Sequence, residues 1–209
     1  MLRGDRPHTF IRNIGKAEKM VQIVLIRPGS TDYDEESRIQ GDLDVPLNET
    51  GQGEARQLAE AVRAIGLDAI YASPQEPAIE TAKVIAETLN VKWKPLEKLA
   101  NLDHGLWQGM AVEDVKTKQS KVYRQWQEQP RSVCPPGGEM LDEVEKRILT
   151  AVAKLQRKHK EGRIALVVPE PAASLVRHCV NGGAIGDLWK TVGTHGSWEI
   201  LEGTQPALV

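Results

Sequence analysis

Two short runs of apolar residues constrain the fold more than any other feature of this chain. Residues 21–26 (Val-Gln-Ile-Val-Leu-Ile) are nearly unbroken in β-branched and aliphatic side chains and stop at Pro28 and Gly29. Residues 164–168 repeat the pattern and stop at Pro169. Runs of five or six apolar residues without alternation are what strands buried on both faces look like, and such strands belong to largely parallel sheets covered by helices. Both runs fall well short of the roughly 20 residues that span a bilayer, so no membrane span is expected.

The segments between these runs carry helical periodicity. Ala55, Leu58, Ala59 and Val62 share one face of a helix that starts near Thr50 and ends before Gly66. A short strand, residues 69–72, is broken by Ser73 and Pro74. Ala78, Ala82, Ile85 and Leu89 then mark a second helix with Pro77 in its first turn, where a missing N–H does least harm. One helix is expected over 112–129 and a longer one over 140–159, on which Leu141, Val144, Ile148, Val152 and Leu155 form a single stripe. A helix over 172–180 and a final strand around Trp198 and Ile200 complete the reading. Alternating strands and helices predict an α/β fold, a three-layer α/β/α sandwich around a central, mostly parallel sheet.

At 209 residues, with 40% hydrophobic and 27% charged side chains, one domain suffices. It is placed at residues 20–209. Residues 1–19 precede the first strand as an N-terminal extension, either an appended arm or a translated upstream stretch with Met20 as the start. They hold no apolar core of a secretory signal. A net charge of −2 argues against electrostatic nucleic-acid binding. Cys134 and Cys179 alone cannot build a disulfide framework or a four-thiolate zinc site. A cytoplasmic protein without a cofactor is therefore expected, with a homodimer compatible with the chain through its N-terminal arm.

The motifs narrow this further. Leu25-Ile26-Arg27-Pro28-Gly29-Ser30-Thr31 is followed by Arg38-Ile39-Gln40-Gly41-Asp42-Leu43-Asp44-Val45-Pro46-Leu47-Asn48-Glu49-Thr50-Gly51. Ala72-Ser73-Pro74, Gly105-Leu106-Trp107-Gln108-Gly109 and Pro135-Pro136-Gly137-Gly138-Glu139 come next in order. In these stretches the chain closely resembles the histidine phosphatase superfamily, also called phosphoglycerate-mutase-like, over roughly residues 20 to 202. The resemblance implies that family's fold, with a pocket at the carboxyl ends of the strands, as open α/β sheets generally have.

What the resemblance implies about chemistry is less ordinary. The family uses a histidine after the first strand as nucleophile, two arginines and a second histidine to hold phosphoryl oxygens, and a carboxylic acid to protonate the leaving group. In this sequence the matching positions hold Pro28 for the nucleophile, Pro77 for the second arginine, Asn101 for the acid and Glu170 for the second histidine. Proline has no lone pair to attack phosphorus, asparagine does not titrate, and an anion repels phosphate where a cation should grip it. No catalytic residue is expected. Arg27 remains, and it is expected to face Glu170 and Asp34 in an internal ion pair.

The expected pocket comprises Arg27, Pro28, Thr31, Asp34, Arg38, Asn101, His104 and Glu170. Its occupant would be an unidentified protein or small-molecule ligand, with neither nucleic acid nor membrane as a partner. Weak phosphatase or phosphomutase activity through relocated groups, Asp103 or His104, is the alternative. Asp32, Asp34, Glu35, Asp103, His104 and Glu170 hold donors suited to a divalent cation, but acidic loop residues are usually just solvated, and no metal is expected. The five tryptophans are read as dispersed packing residues, and His195 as a turn residue before Gly196.

Overall fold

The computed structural model describes residues 20–191 and 195–201, so the N-terminal extension lies outside the described residues. β1 (Gln22–Arg27) is followed by the single-turn α1 (Asp32–Glu35), by α2 (Glu49–Val62) and by β2 (Ala69–Ala72). α3 (Glu76–Leu89) leads to the three-residue β3 (Trp93–Pro95), then come α4 (Val112–Lys118), α5 (Ser120–Glu128) and α6 (Leu141–Lys158). β4 (Arg163–Val167), α7 (Ala172–Asn181) and β5 (Ser197–Leu201) close the chain.

The sheet has five strands in the order β3-β2-β4-β1-β5. β4 lies parallel between β1 and β2, with Val24 opposite Ala165 and Ile70 opposite the same residue on the other side. β5 runs antiparallel along β1 at the edge. This is the mostly parallel sheet expected from the two apolar runs, which form its central strands β1 and β4.

Their lack of alternation has a direct cause. Ile23 and Leu25 point to one side, where they join Tyr71, Ile164 and Leu166 against Leu141, Val144, Ile148 and Val152 of α6 and Leu175 and Val176 of α7. Val24 and Ile26 point to the other, with Ile70, Ala72, Ala165 and Val167 against Leu58, Ala59 and Val62 of α2 and Ala78, Ala82 and Ile85 of α3. Every one of these strand side chains is 2% exposed or less. Burying a Val, Leu or Ile side chain stabilises by roughly 1.5–3 kcal/mol, so both faces of each central strand must be apolar.

Helix boundaries follow local chemistry. The Asn48 side chain caps α2 by accepting the Gly51 N–H at 2.8 Å, and Asn90 ends α3 in the left-handed region at φ 53°. The single helix expected over 112–129 is in fact two. Gln119, at φ −132° and ψ 45°, separates α4 from α5. Residues 116–121 (Lys-Thr-Lys-Gln-Ser-Lys) offer no apolar side chain to pack, and without packing a short helix has little reason to continue. Among the described residues, no helix is long and apolar enough to cross a membrane.

One close approach positions the site. A Cβ on Gly29 would collide with the backbone of Gly51, and a Cβ on Gly51 with that of Ser30. The loop leaving β1 is thereby pressed onto the first turn of α2, which only two glycines permit.

Candidate functional site

A crevice of about 700 Å³, counting the space open to solvent, lies beyond the carboxyl ends of β1 and β4. Pro28, Gly29, Thr31, Asp34, Arg38 and Ile39 come to it from the segment after β1, and Pro77 from the first turn of α3. Asn101 and His104 come from the loop before α4, Trp126 from α5, Pro169, Glu170 and Pro171 from the end of β4, and Leu188, Trp189 and His195 from the approach to β5. Seven of the eight expected pocket residues therefore meet here.

Arg27 is the exception and a correction: it does not line the crevice. Its Nη1 donates to Glu170 Oε1 at 3.1 Å and its Nε donates to Ser197 Oγ at 2.8 Å. Glu170 is the more buried partner, its side chain 5% exposed against 22% for Arg27. Its second oxygen accepts the backbone N–H of Ser174 at 3.0 Å and the Ser174 hydroxyl at 2.7 Å, in the first turn of α7. Arg177 approaches Oε1 at 3.7 Å while holding Glu199 at 2.7 Å. The Glu170 carboxylate is thus seated on a helix N-terminus between two guanidinium groups, an arrangement in which a negative charge is stabilised.

The other half of the expected pairing fails. Asp34 does not face Arg27. It closes a capping box on α1, with Oδ2 accepting both the N–H and the hydroxyl of Thr31 at 2.8 Å. A threonine three residues before an acid is a recognised helix-start pattern, so this role was readable from Thr31 and Asp34 themselves. Arg38 is also committed: Nη1 donates to Gly109 O at 2.7 Å and Nε pairs with Glu36, which raises the Arg38 pKa further.

Asn101 is 2% exposed and fully employed. Its Nδ2 donates to Gly41 O at 2.9 Å and to Glu170 O at 2.8 Å, and its Oδ1 accepts the Ala172 N–H at 3.1 Å. The side chain ties three loops together, which an ionised aspartate could not do, because two of the bonds need an N–H. Its own loop is held by Arg147, whose Nη2 donates to Asn101 O at 2.8 Å and pairs with Glu139 at 2.9 Å. Gly105 and Gly138 are in close backbone contact, so the Gly-Leu-Trp-Gln-Gly and Pro-Pro-Gly-Gly-Glu motifs lock the loop carrying Asn101 and His104.

His104 is buried, and burial pushes its imidazole down to about 4, so it is neutral near pH 7. Its Nδ1 donates to Leu102 O at 3.2 Å, which leaves the lone pair on Nε2. The ring packs on Trp126 at 5.8 Å between centroids. Trp126 in turn meets Trp107 edge-on at 5.8 Å, and Trp189 stacks on Tyr123 at 4.9 Å. Three of the five tryptophans, read as dispersed, are neighbours in space, and two of them line the crevice.

His195 is the residue that sequence reasoning missed. Its Nδ1 lies 2.8 Å from Ser30 Oγ and 2.9 Å from Glu54 Oε1, while Ser30 donates both its N–H and hydroxyl to Glu54 Oε2 at 2.8 and 2.6 Å. Serine and carboxylate both meet the same ring nitrogen, so this is not a nucleophile–base–acid relay, which needs the two on opposite nitrogens. The group instead pins the segment before β5, together with the Gly196 N–H donated to Pro28 O at 2.7 Å. Nothing in a sequence spacing of 165 residues announces it. Among the described residues no three His, Cys, Asp or Glu side chains gather as a metal site would require.

Residues 23–207 match the family described as the histidine phosphatase superfamily (branch 1). The chain belongs to this family. It is 34% identical over 148 residues to phosphoserine phosphatase 1 of Hydrogenobacter thermophilus, covering 71% of this chain and 70% of that one. It is likewise 34% identical over 153 residues to the phosphoglycerate mutase-like protein 4 of Arabidopsis thaliana, covering 70% and 65%. Among solved structures of the fold, Bacillus stearothermophilus YhfR superposes with a TM-score of 0.76 at 26% identity, over 89% of this chain and 93% of that one. A mycobacterial glucosyl-3-phosphoglycerate phosphatase superposes at 0.78 with 24% identity, covering 88% and 92%. The phosphoglycerate-mutase-like fold expected from the motifs is thus the fold of the family.

Proposed function

We propose that this member of the histidine phosphatase superfamily is a noncatalytic binding protein whose crevice accepts a ligand without a phosphoryl group. The observation that carries this reading is the seat of Glu170. Its carboxylate takes Arg27 Nη1, Ser174 N–H and the Ser174 hydroxyl. These are the kinds of donors a phosphoryl group would need, and they are already satisfied by an anion that belongs to the chain. A phosphate dianion entering the crevice would have to displace a buried carboxylate from its cations or sit beside it, and both are unfavourable.

The other positions support the same reading. Pro28 offers no nucleophile, and Pro77 places a ring where the resemblance implies a second guanidinium. Asn101 spends its amide on loop carbonyls and has no proton to give. A second reading, weak phosphatase action on a small phosphate ester, rests on His104, which belongs to the lining of the same crevice and whose Nδ1 is committed to Leu102 O. That imidazole lacks a cation to hold the phosphoryl oxygens, since Arg38 is bound to Glu36 and Gly109.

The test is turnover of p-nitrophenyl phosphate and phosphoserine, with calorimetric titration of inorganic phosphate and vanadate. No turnover above that of a His104→Ala, Asp103→Asn double variant purified in parallel, and no heat of anion binding, are expected. Turnover that vanishes in the double variant, or a phosphorylated side chain trapped in the crevice, would establish the second reading instead.

A further inference from the structure

Resting on the noncatalytic reading, we infer that the crevice selects an organic cation with an apolar, planar body, an arylalkyl amine, because Asp34 shares the crevice with apolar side chains and no cation among the described residues pairs with it.

The charges lining the crevice resolve one by one. Glu170 is neutralised from behind by Arg27 and Arg177. Arg38 is neutralised by Glu36. His104 is neutral by burial, and His195 is engaged with Glu54. Asp34 is left. It receives only neutral donors, the Thr31 N–H and hydroxyl, both on Oδ2. Among the described residues no Lys, Arg or His pairs with it. The crevice therefore presents one uncompensated carboxylate.

The surroundings decide what that carboxylate can attract. Trp126, Trp189, Leu188 and Ile39 are buried apolar side chains on the lining, and Pro28, Pro77, Pro169 and Pro171 add four rings with no donor to offer. Water is a poor competitor for an ammonium group in such a place. Trp126 and Trp189, 1% and 7% exposed and packed against one another, lower the polarity of this side of the crevice. An anion would meet Asp34 and Glu170, and an uncharged ligand would leave the Asp34 charge unanswered. An amine with an aromatic or branched apolar body answers both features at once.

The experiment titrates the protein with phenethylamine, with 2-phenylethanol as its uncharged counterpart and with phenyl phosphate as the anion, reading tryptophan fluorescence and calorimetric heat. Phenethylamine is expected to bind at least tenfold more tightly than 2-phenylethanol. Asp34→Asn keeps an oxygen to cap Thr31 and is expected to erase that difference. Should this variant unfold, raising the salt concentration on the unaltered protein serves in its place, since the amine's advantage must shrink as screening grows. Equal binding of amine and alcohol, no binding of either, or an unchanged preference in Asp34→Asn overturns the ligand class and leaves the noncatalytic reading intact. Turnover of phenyl phosphate overturns the noncatalytic reading itself.

Discussion

The two walls of the crevice are built on opposite principles. The strand-end wall, with Glu170 and Asn101, is held by charge and by hydrogen bonds, Glu170 to Arg27 and Ser174, and Asn101 to Gly41 and Ala172. The aromatic wall, with His104, Trp126 and Trp189, is held by ring packing against Trp107 and Tyr123, and its one buried imidazole is kept neutral. The difference teaches how one crevice is shaped by two kinds of force. On the first wall each polar or conformationally fixed residue supports the local structure. Asn101 joins loops, Glu170 caps α7 and neutralises Arg27, and Pro77 opens α3. On the second wall, bulk rather than charge sets the shape of the space.

The contrast implies different responses to perturbation. The largest effect is expected on the packed wall. Trp126→Ala removes a side chain 1% exposed and should cost about 3–5 kcal/mol of unfolding free energy in urea denaturation, with no dependence on salt. A salt-sensitive loss would mean that the aromatic wall is held by charge after all.

Next is the pH response of His104. The unfolded chain takes up a proton near pH 6.5, while the folded chain refuses it until about pH 4, so stability must fall as pH drops through that interval. At about 1.4 kcal/mol per pH decade, the loss is on the order of 3 kcal/mol. His104→Phe should lack this slope, and parallel stability curves for the two proteins between pH 6.5 and 4 would show that the imidazole is not buried neutral.

On the polar wall, Asn101→Asp should destabilise. A carboxylate would face the carbonyls of Gly41 and Glu170 without a proton to share, at a cost of about 2 kcal/mol near pH 7. The carbonyls raise the folded-state pKa of the new acid. The deficit should therefore shrink as pH falls from 7 toward the ordinary carboxylate value of about 4, and thermal melts at pH 7 and pH 4 measure it.

The smallest effect is expected from Glu170→Ala, about 1–2 kcal/mol, because the partly exposed Arg27 can be rehydrated when its partner goes. Its signature is in ligand response: inorganic phosphate should raise the melting temperature of this variant and leave that of the unaltered protein unchanged. Equal response of both would remove the argument that Glu170 occupies the anion seat.

The sequence was readable where a local pattern and a family motif coincide. β1 and β4 were visible because burial on both faces keeps their middles apolar, and the Arg27–Glu170 pair followed from the positions that the family resemblance implies for both residues. β3 was not, since Trp93-Lys94-Pro95 is too short and too polar to carry a period. The break at Gln119 was missed because both halves of the segment are helical and only the lack of packing separates them. Asp34 was misassigned although its spacing from Thr31 carried the answer.

Amino-acid order alone determined the class of fold, the strands at its centre and the family. Each of these is written in neighbouring residues, through periodicity, turn chemistry and motif. Tertiary structure alone decided that Arg27 also holds Ser197, that His195 reaches Ser30 and Glu54, and that Trp107, Trp126 and Trp189 pack together. These contacts join residues far apart in the chain. Their energies depend on distance and burial in space, quantities that no local pattern encodes.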